Sequence, residues 1–389
     1  MKLIAKLLVA ASSVAFASSS LAADPFKIGL IVPLTGPFAS TGKQIEAAAR
    51  LYIQEHGDTI GDRPVQLIVK DDGGLQPETT KRLAQELVVK DDVDVLAGFG
   101  LTPLAFAAAP IATQAKKPMV VMAAATSSIV EKSPYIVRTS QTVPQIAAPL
   151  AEWAAKPESG IKKVITLITD YGPGHDAEKA FVKKFEEKGG EIMDSLRVPL
   201  QNPDFAPFIQ RIRDSKPDAM FVFVPSGPGI SLMKQYDEKG LAEAGIQLIG
   251  MGDVLDDDLL PSMGPEALGI VTSQHYSAAH DSDLNRQYVA GFKELTNNSM
   301  RPNFMSVGGY DGMHLIYEAV KKAGTDASGD EIVEAMKGMS WESPRGPISI
   351  DPETRDIIQN VYIRRSEMID GEIYNVEFDK IEQFKDPGL

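Results

Sequence analysis

Cysteine is absent from all 389 residues, which excludes disulfides, thiolate nucleophiles and cysteine-ligated metals. Basic residues are in deficit, 39 against 53 acidic ones, for a formal net charge of −14. That balance argues against nucleic acid and against anionic membrane surfaces as partners. The apolar stretch Leu7–Phe16 is diluted by small residues and is too short to stay in a bilayer as a helix. There is no G-x-S-x-G elbow and no GK[ST] phosphate loop, which weakens hydrolase and nucleotidase readings. Gly98-Phe99-Gly100 lacks the third glycine of a dinucleotide fingerprint. His275, His280, Asp281 and Asp283 gather in one segment, but their spacing fits no metal motif. Asp281 or Asp283 reads better as the cap of the following helix. Asp256-Asp257-Asp258 lacks the glycine bend and alternate ligands of a calcium loop and reads as a solvated helix start. Neither a metal nor a cofactor is expected.

What is present is ordinary for a globular chain: 43% hydrophobic and 24% charged residues, with a length suited to two domains. The N-terminus has the three parts of a secretory leader. Met1–Lys6 is basic, Leu7–Phe16 apolar, and Ala17–Ala23 ends in small residues suited to cleavage after Ala22 or Ala23. Residues 1–23 are therefore expected to be a signal peptide. No cysteine follows it to carry a lipid, so an exported soluble protein is expected. Losing Lys2 and Lys6 brings the net charge to about −16.

The remainder is organised around Val93–Ser128. Val93, Val95 and Leu96 form a strand, broken by Gly98-Phe99-Gly100. Thr102 offers an N-cap hydroxyl, Pro103 stands at the first helical position, and Leu104–Ala115 is helical. Met119–Met122 is the next strand, followed by the small-residue loop Ala123–Ser128. A helix N-terminus receives anions, so two such loops at neighbouring strand ends form one wall of a polar pocket. Upstream, Phe26–Pro33 and Val65–Val69 are strands, with helices at Lys43–His56 and Pro77–Lys90. Strands alternating with helices at this rhythm predict an α/β fold with parallel sheets covered on both faces. After a pause at Thr139–Pro144 the pattern restarts, and Asp170-Tyr171-Gly172-Pro173-Gly174 repeats the layout of the first loop. Two lobes follow, with 24–142 and 276–340 in the first and 143–275 and 341–389 in the second. Returning strands make a multi-strand hinge, and ligands of such proteins bind in the cleft. Phe38, Tyr171, Tyr276, Phe304 and Tyr310 lie near element ends and as a set could sandwich a flat apolar ligand.

The motifs KIGLIVPLTGPFASTGKQIEAAARL, GFGLTPLA, KKPMVVMAAATSS, ITDYGPGHDAEKAF and SVGGYDGMHLIYEAV resemble those of the periplasmic solute-binding proteins of the branched-chain amino acid type, across the whole mature chain. The resemblance implies two Rossmann-like lobes, a receptor serving an ABC importer, permease subunits in the inner membrane as partners, a periplasmic location, a monomer and no catalysis. It places the ligand carboxylate on Thr102, with a carbonyl at Ala124 and a hydroxyl and N–H at Thr126. Tyr171 closes from the second lobe, and Asp253 stands where the family pairs an ammonium. Phe38, Thr41, Leu101, Ala125, Ser226, Tyr276 and Tyr310 complete the expected lining. Amino-acid receptors tend to carry Glu in place of Asp253 and an aromatic near Thr41. Pro225-Ser226-Gly227 stands where several relatives have an aromatic. These departures favour an aromatic acid, such as a hydroxybenzoate or phenylpropenoate, over a branched-chain amino acid. A periplasmic hydrolase and a sensory ligand-binding protein are the remaining alternatives.

Overall fold

The computed structural model describes residues 24–388, so the expected signal peptide lies outside the described residues. The first sheet contains β1 (Phe26–Val32), β2 (Thr59–Ile60), β3 (Arg63–Asp71), β4 (Val95–Gly98), β5 (Met119–Val121) and β6 (Ile136–Arg138). Helices α1 (Ala39–His56), α2 (Pro77–Val89) and α3 (Thr102–Ala115) connect them. The strand order is β2-β3-β1-β4-β5-β6, with β1 parallel to both β3 and β4. The chain then enters α4 (Val143–Ala154) and alternates β7 (Lys163–Thr169), α5 (Gly172–Glu187), β8 (Glu191–Val198), α6 (Ala206–Ser215), β9 (Ala219–Phe223), α7 (Ser226–Glu238), β10 (Gln247–Met251) and β11 (Val271–Gln274). Three helices follow, α8 (Asp283–Leu295), α9 (Phe304–Ala323) and α10 (Gly329–Met336). Four antiparallel strands close the chain: β12 (Ser340–Ser343), β13 (Gly346–Ile350), β14 (Ile357–Ile369) and β15 (Glu372–Phe384). The second sheet runs β12-β13-β14-β11-β10-β9-β7-β8, with β15 added on β14.

Successive side chains of a strand point to opposite faces, and both faces of the second sheet are covered. Ile165 and Leu167 of β7 pack with Ile209, Ile212 and Leu232 of α6 and α7. Their neighbours Val164 and Ile168 pack with Ile146, Phe181 and Phe185 of α4 and α5. The first core joins β1, β4 and β5 to α1, but also takes in Tyr288, Val307, Met313 and Ile332 from α8–α10. The chain therefore returns to the first lobe after building the second. It crosses at Thr139–Thr142, His275–Ser282 and Lys337–Met339. The β12–β13 hairpin is bonded into the second sheet, yet Ile348 and Ile350 lie in the first core.

Two sequence expectations are corrected. The three aspartates are not a solvated helix start: Asp256 and Asp257 are buried and Asp258 is partly so. Both oxygens of Asp256 accept from Asn303 Nδ2, at 3.0 and 2.9 Å. Asp257 faces Arg364 at 3.2 Å, and Asp258 accepts the Arg301 N–H at 2.8 Å. The run thus ties the second lobe to the α9 side of the first. Ser282 caps α8, accepting the Asn285 N–H at 3.0 Å. Asp281 and Asp283 instead hold Arg286, at 2.7 and 2.5 Å.

Candidate functional site: a cavity of helix N-termini

Between the lobes lies a cavity lined by Phe38, Thr41, Gly100–Thr102, Ala123–Ala125 and Met305 on one side and Tyr171, Pro173, Phe223, Pro225, Ser226 and Asp253 on the other. Gln141, in the first crossing, forms part of its wall. Five helices begin there, α1, α3, α5, α7 and α9. The first N–H groups of each lack intrahelical acceptors and carry partial positive charge. Among the described residues no lysine, arginine or histidine lines the cavity, and Asp253 is the one acidic residue that does. A field of this kind receives an anion through backbone dipoles alone. The cavity holds about 40 Å³ of free space. That is room for a few waters at about 10–15 Å³ each, so a ring-sized ligand requires the walls to part.

Local geometry builds this wall. Backbone at Gly98 (φ 106°) and Phe99 (φ 67°) passes through the left-handed region, which is rare for a bulky residue. The turn is fixed by Phe99 N–H donating to Ile31 O at 2.8 Å and Ala124 N–H donating to Phe99 O at 3.0 Å. Thr102 is the first residue of α3 rather than its cap, and its hydroxyl donates to Thr126 Oγ1 at 3.2 Å. Leu101, with extended backbone, occupies the cap position. Thr126 lies outside the lining and braces Thr102 through that bond, with its hydroxyl oxygen turned toward Gly172 of the second lobe. Ala124 and Ala125 line the cavity, but the Ala124 carbonyl accepts from Ser140 Oγ (3.3 Å) and Arg138 Nη1 (3.4 Å). Arg138 is fully buried, pairs with Asp356 at 2.8 Å, and also donates to the carbonyls of Gln141 and Thr126.

On the second lobe, Tyr171 stands at the cap of α5 with its ring stacked on Phe223, centroids 6.2 Å apart. Burial, and then the nearby Asp253, raise its pKa, so the phenol stays protonated. Ser226 Oγ and Asp253 Oδ2 are buried without a protein hydrogen-bond partner. Such orphaned atoms are costly unless something else bonds them. Burial, reinforced by Asp256, pushes the Asp253 carboxyl up to about 7.

The sequence of this chain matches the periplasmic binding protein family over residues 25–371. The chain belongs to that family. This binding protein is 47% identical to the Leu/Ile/Val-binding protein homolog 6 of Brucella melitensis, over 98% of each chain. It is 60% identical to an ABC-transporter solute-binding protein of Rhodopseudomonas palustris BisB5, solved with 3,4-dihydroxybenzoic acid (TM-score 0.90, covering 93% of this chain and 99% of that one). A second such protein, from strain HaA2 and solved with p-hydroxybenzoic acid, is 42% identical (TM-score 0.91, 94% and 99% covered).

Of the residues expected from the sequence, Phe38, Thr41, Leu101, Thr102, Ala124, Ala125, Tyr171, Ser226 and Asp253 are brought together at the cavity. Tyr276 and Tyr310 are not. Tyr276 is fully buried in the first lobe and donates to Asn285 Oδ1 at 3.0 Å. Tyr310 donates to Glu55 Oε2 at 2.6 Å and packs on Tyr52, because its position on α9 faces α1. Gln141, Phe223, Pro225 and Met305 were missed. Phe223 and Pro225 stand at the carboxyl end of β9, where ligands of open α/β sheets bind, and Gln141 lies within the pause that marks the first crossing.

Proposed function

We propose that this binding protein is the periplasmic receptor of an ABC importer and that it carries a hydroxylated aromatic carboxylate in the interlobe cavity. The observation behind this is the convergence of five helix N-termini on a cavity with no cationic side chain. The ligand carboxylate meets the start of α3 at Thr102, where each charge-assisted hydrogen bond contributes ~1.5–3 kcal/mol. The ring lies among Phe38, Tyr171 and Phe223, with Asp253 and Ser226 facing it from the second lobe. Both R. palustris relatives were solved with acids of this shape. The protein works as a monomer, performs no catalysis, and is recognised by permease subunits once the lobes have closed. Ligand shifts the population toward closure because only the closed state adds second-lobe contacts.

A branched-chain amino acid is the competing ligand, supported by the name of the Brucella relative and by an acidic residue facing the cavity. Thermal-shift measurements on ligand-stripped protein separate the two. A ligand at a hundredfold excess over Kd stabilises by ~2.7 kcal/mol. We expect hydroxybenzoates to raise the melting temperature and leucine, isoleucine and valine to leave it unchanged; the reverse result would overturn the proposal.

A further inference from the structure

The first two crossings are joined beside the cavity by a side-chain contact between His275 and Gln141. His275 Nδ1 lies 2.8 Å from the atom placed as Gln141 Oε1, and Nε2 lies 3.3 Å from the carbonyl oxygen of Phe304. The imidazole is fully buried. Burial, with the guanidiniums of Arg345 and Arg364 nearby, drives its pKa well below the ordinary value, so the ring is neutral with one N–H. A carbonyl oxygen can only accept, which puts that proton on Nε2 and leaves Nδ1 a bare acceptor. The atom of Gln141 facing Nδ1 must then be a donor. The oxygen and nitrogen of a glutamine amide have the same shape and are placed by their hydrogen bonds, so the NH₂ group faces the imidazole. Gln141 also lines the cavity, and among the described residues no protein group bonds the other end of its amide.

We propose that Gln141 presents its carbonyl oxygen to the cavity, held in that orientation by His275, as an acceptor that selects ligands carrying a hydroxyl toward the hinge wall. This rests on the aromatic-acid reading above. An unsubstituted ring leaves the oxygen unpaired in a dry site, and a fluorine or ether at the same place sets two acceptors face to face. A phenolic hydroxyl satisfies it.

The test is calorimetry of the full mature protein and its Gln141→Met variant with benzoate, the three monohydroxybenzoates and the three monofluorobenzoates. It is joined by ¹⁵N NMR of the histidine rings, with His275 assigned as the ring perturbed in Gln141→Met. We expect one hydroxyl isomer to bind the wild type about tenfold or more tighter than benzoate and its fluoro counterpart. In Gln141→Met that margin should vanish for that isomer, with benzoate binding the variant more tightly than the wild type because no acceptor is left unpaired, and His275 of the wild type should show the Nε2–H tautomer. An Nδ1–H tautomer, or a margin unchanged in the variant, would overturn the inference. Failure of every benzoate to bind the wild type would instead overturn the aromatic-acid reading, while the tautomer still decides which end of Gln141 faces the cavity.

Discussion

Asp253 faces the helix termini across the cavity with one carboxyl oxygen unbonded and a pKa near 7, raised first by burial and then by Asp256. Its protonation state separates ligand classes. A benzoate-type anion is repelled by the ionised carboxylate, so its affinity should be constant well below pH 7 and fall as pH rises through about 7, by at most tenfold per pH unit. An amino acid, whose ammonium pairs with the ionised form, should show the opposite slope. Calorimetry between pH 5.5 and 8.5 reads this directly. Stability in the ligand-free state follows the same sign. A carboxyl whose folded pKa lies above its unfolded one stabilises the fold at low pH and withdraws that stability as pH rises to about 7. Asp253→Asn should therefore melt higher than wild type at pH 8, with the difference shrinking toward pH 5. At the opposite wall, Thr102→Ala should weaken a carboxylate ligand about tenfold. Thr126→Ala, which removes only the brace, should cost less, and equal losses from the two would mean that Thr126 itself touches ligand.

The helices around the cavity share a construction that sequence patterning hides. The sequence reading starts α1 at Lys43, whereas it begins at Ala39, and α5 and α7 likewise begin early, at Gly172 and Ser226. In each, a first turn rich in glycine, proline or serine reads as loop. Glycine is there because the turn presses on the preceding backbone. A Cβ on Gly42 would lie 1.9 Å from Pro33 O, and one on Gly174 would lie 1.8 Å from Thr169 O. Gly174→Ala must push α5 outward and carry Tyr171 with it. We expect a loss of about 1–3 kcal/mol in urea unfolding together with weaker ligand binding; full affinity would show that Tyr171 is not positioned by this contact. The alternation of strands with helices and the two-lobe plan were legible because buried parallel strands advertise themselves as apolar runs. The lining was legible where small residues follow strand ends, as at Gly100–Thr102 and Ala123–Ala125. Tyr276 and Tyr310 misled because aromatic character does not reveal which way a side chain points, whether from a crossing segment or from a helix. Arg138 was invisible for another reason: its role depends on the carbonyls of Ala124, Thr126, Ser127 and Gln141, which only the fold brings together around it.

At the scale of the whole molecule, the cavity is walled by both lobes and floored by the first crossing, so lobe closure completes the site. Small-angle scattering should show the radius of gyration of the stripped protein falling when a hydroxybenzoate is added, and an unchanged value would argue for access without hinge motion. The charge of the chain sets a further property. The protein is acidic, at −14, while the attraction for its anionic ligand comes from backbone dipoles buried in the cleft. Those two fields act over different ranges. At a distance the approaching carboxylate meets repulsion, which salt screens over a Debye length of about 8 Å at physiological ionic strength; once inside, it is held by groups that salt does not reach. Adding salt should therefore speed association and leave the dissociation rate nearly constant, so that the receptor captures its ligand faster in brine than in dilute buffer.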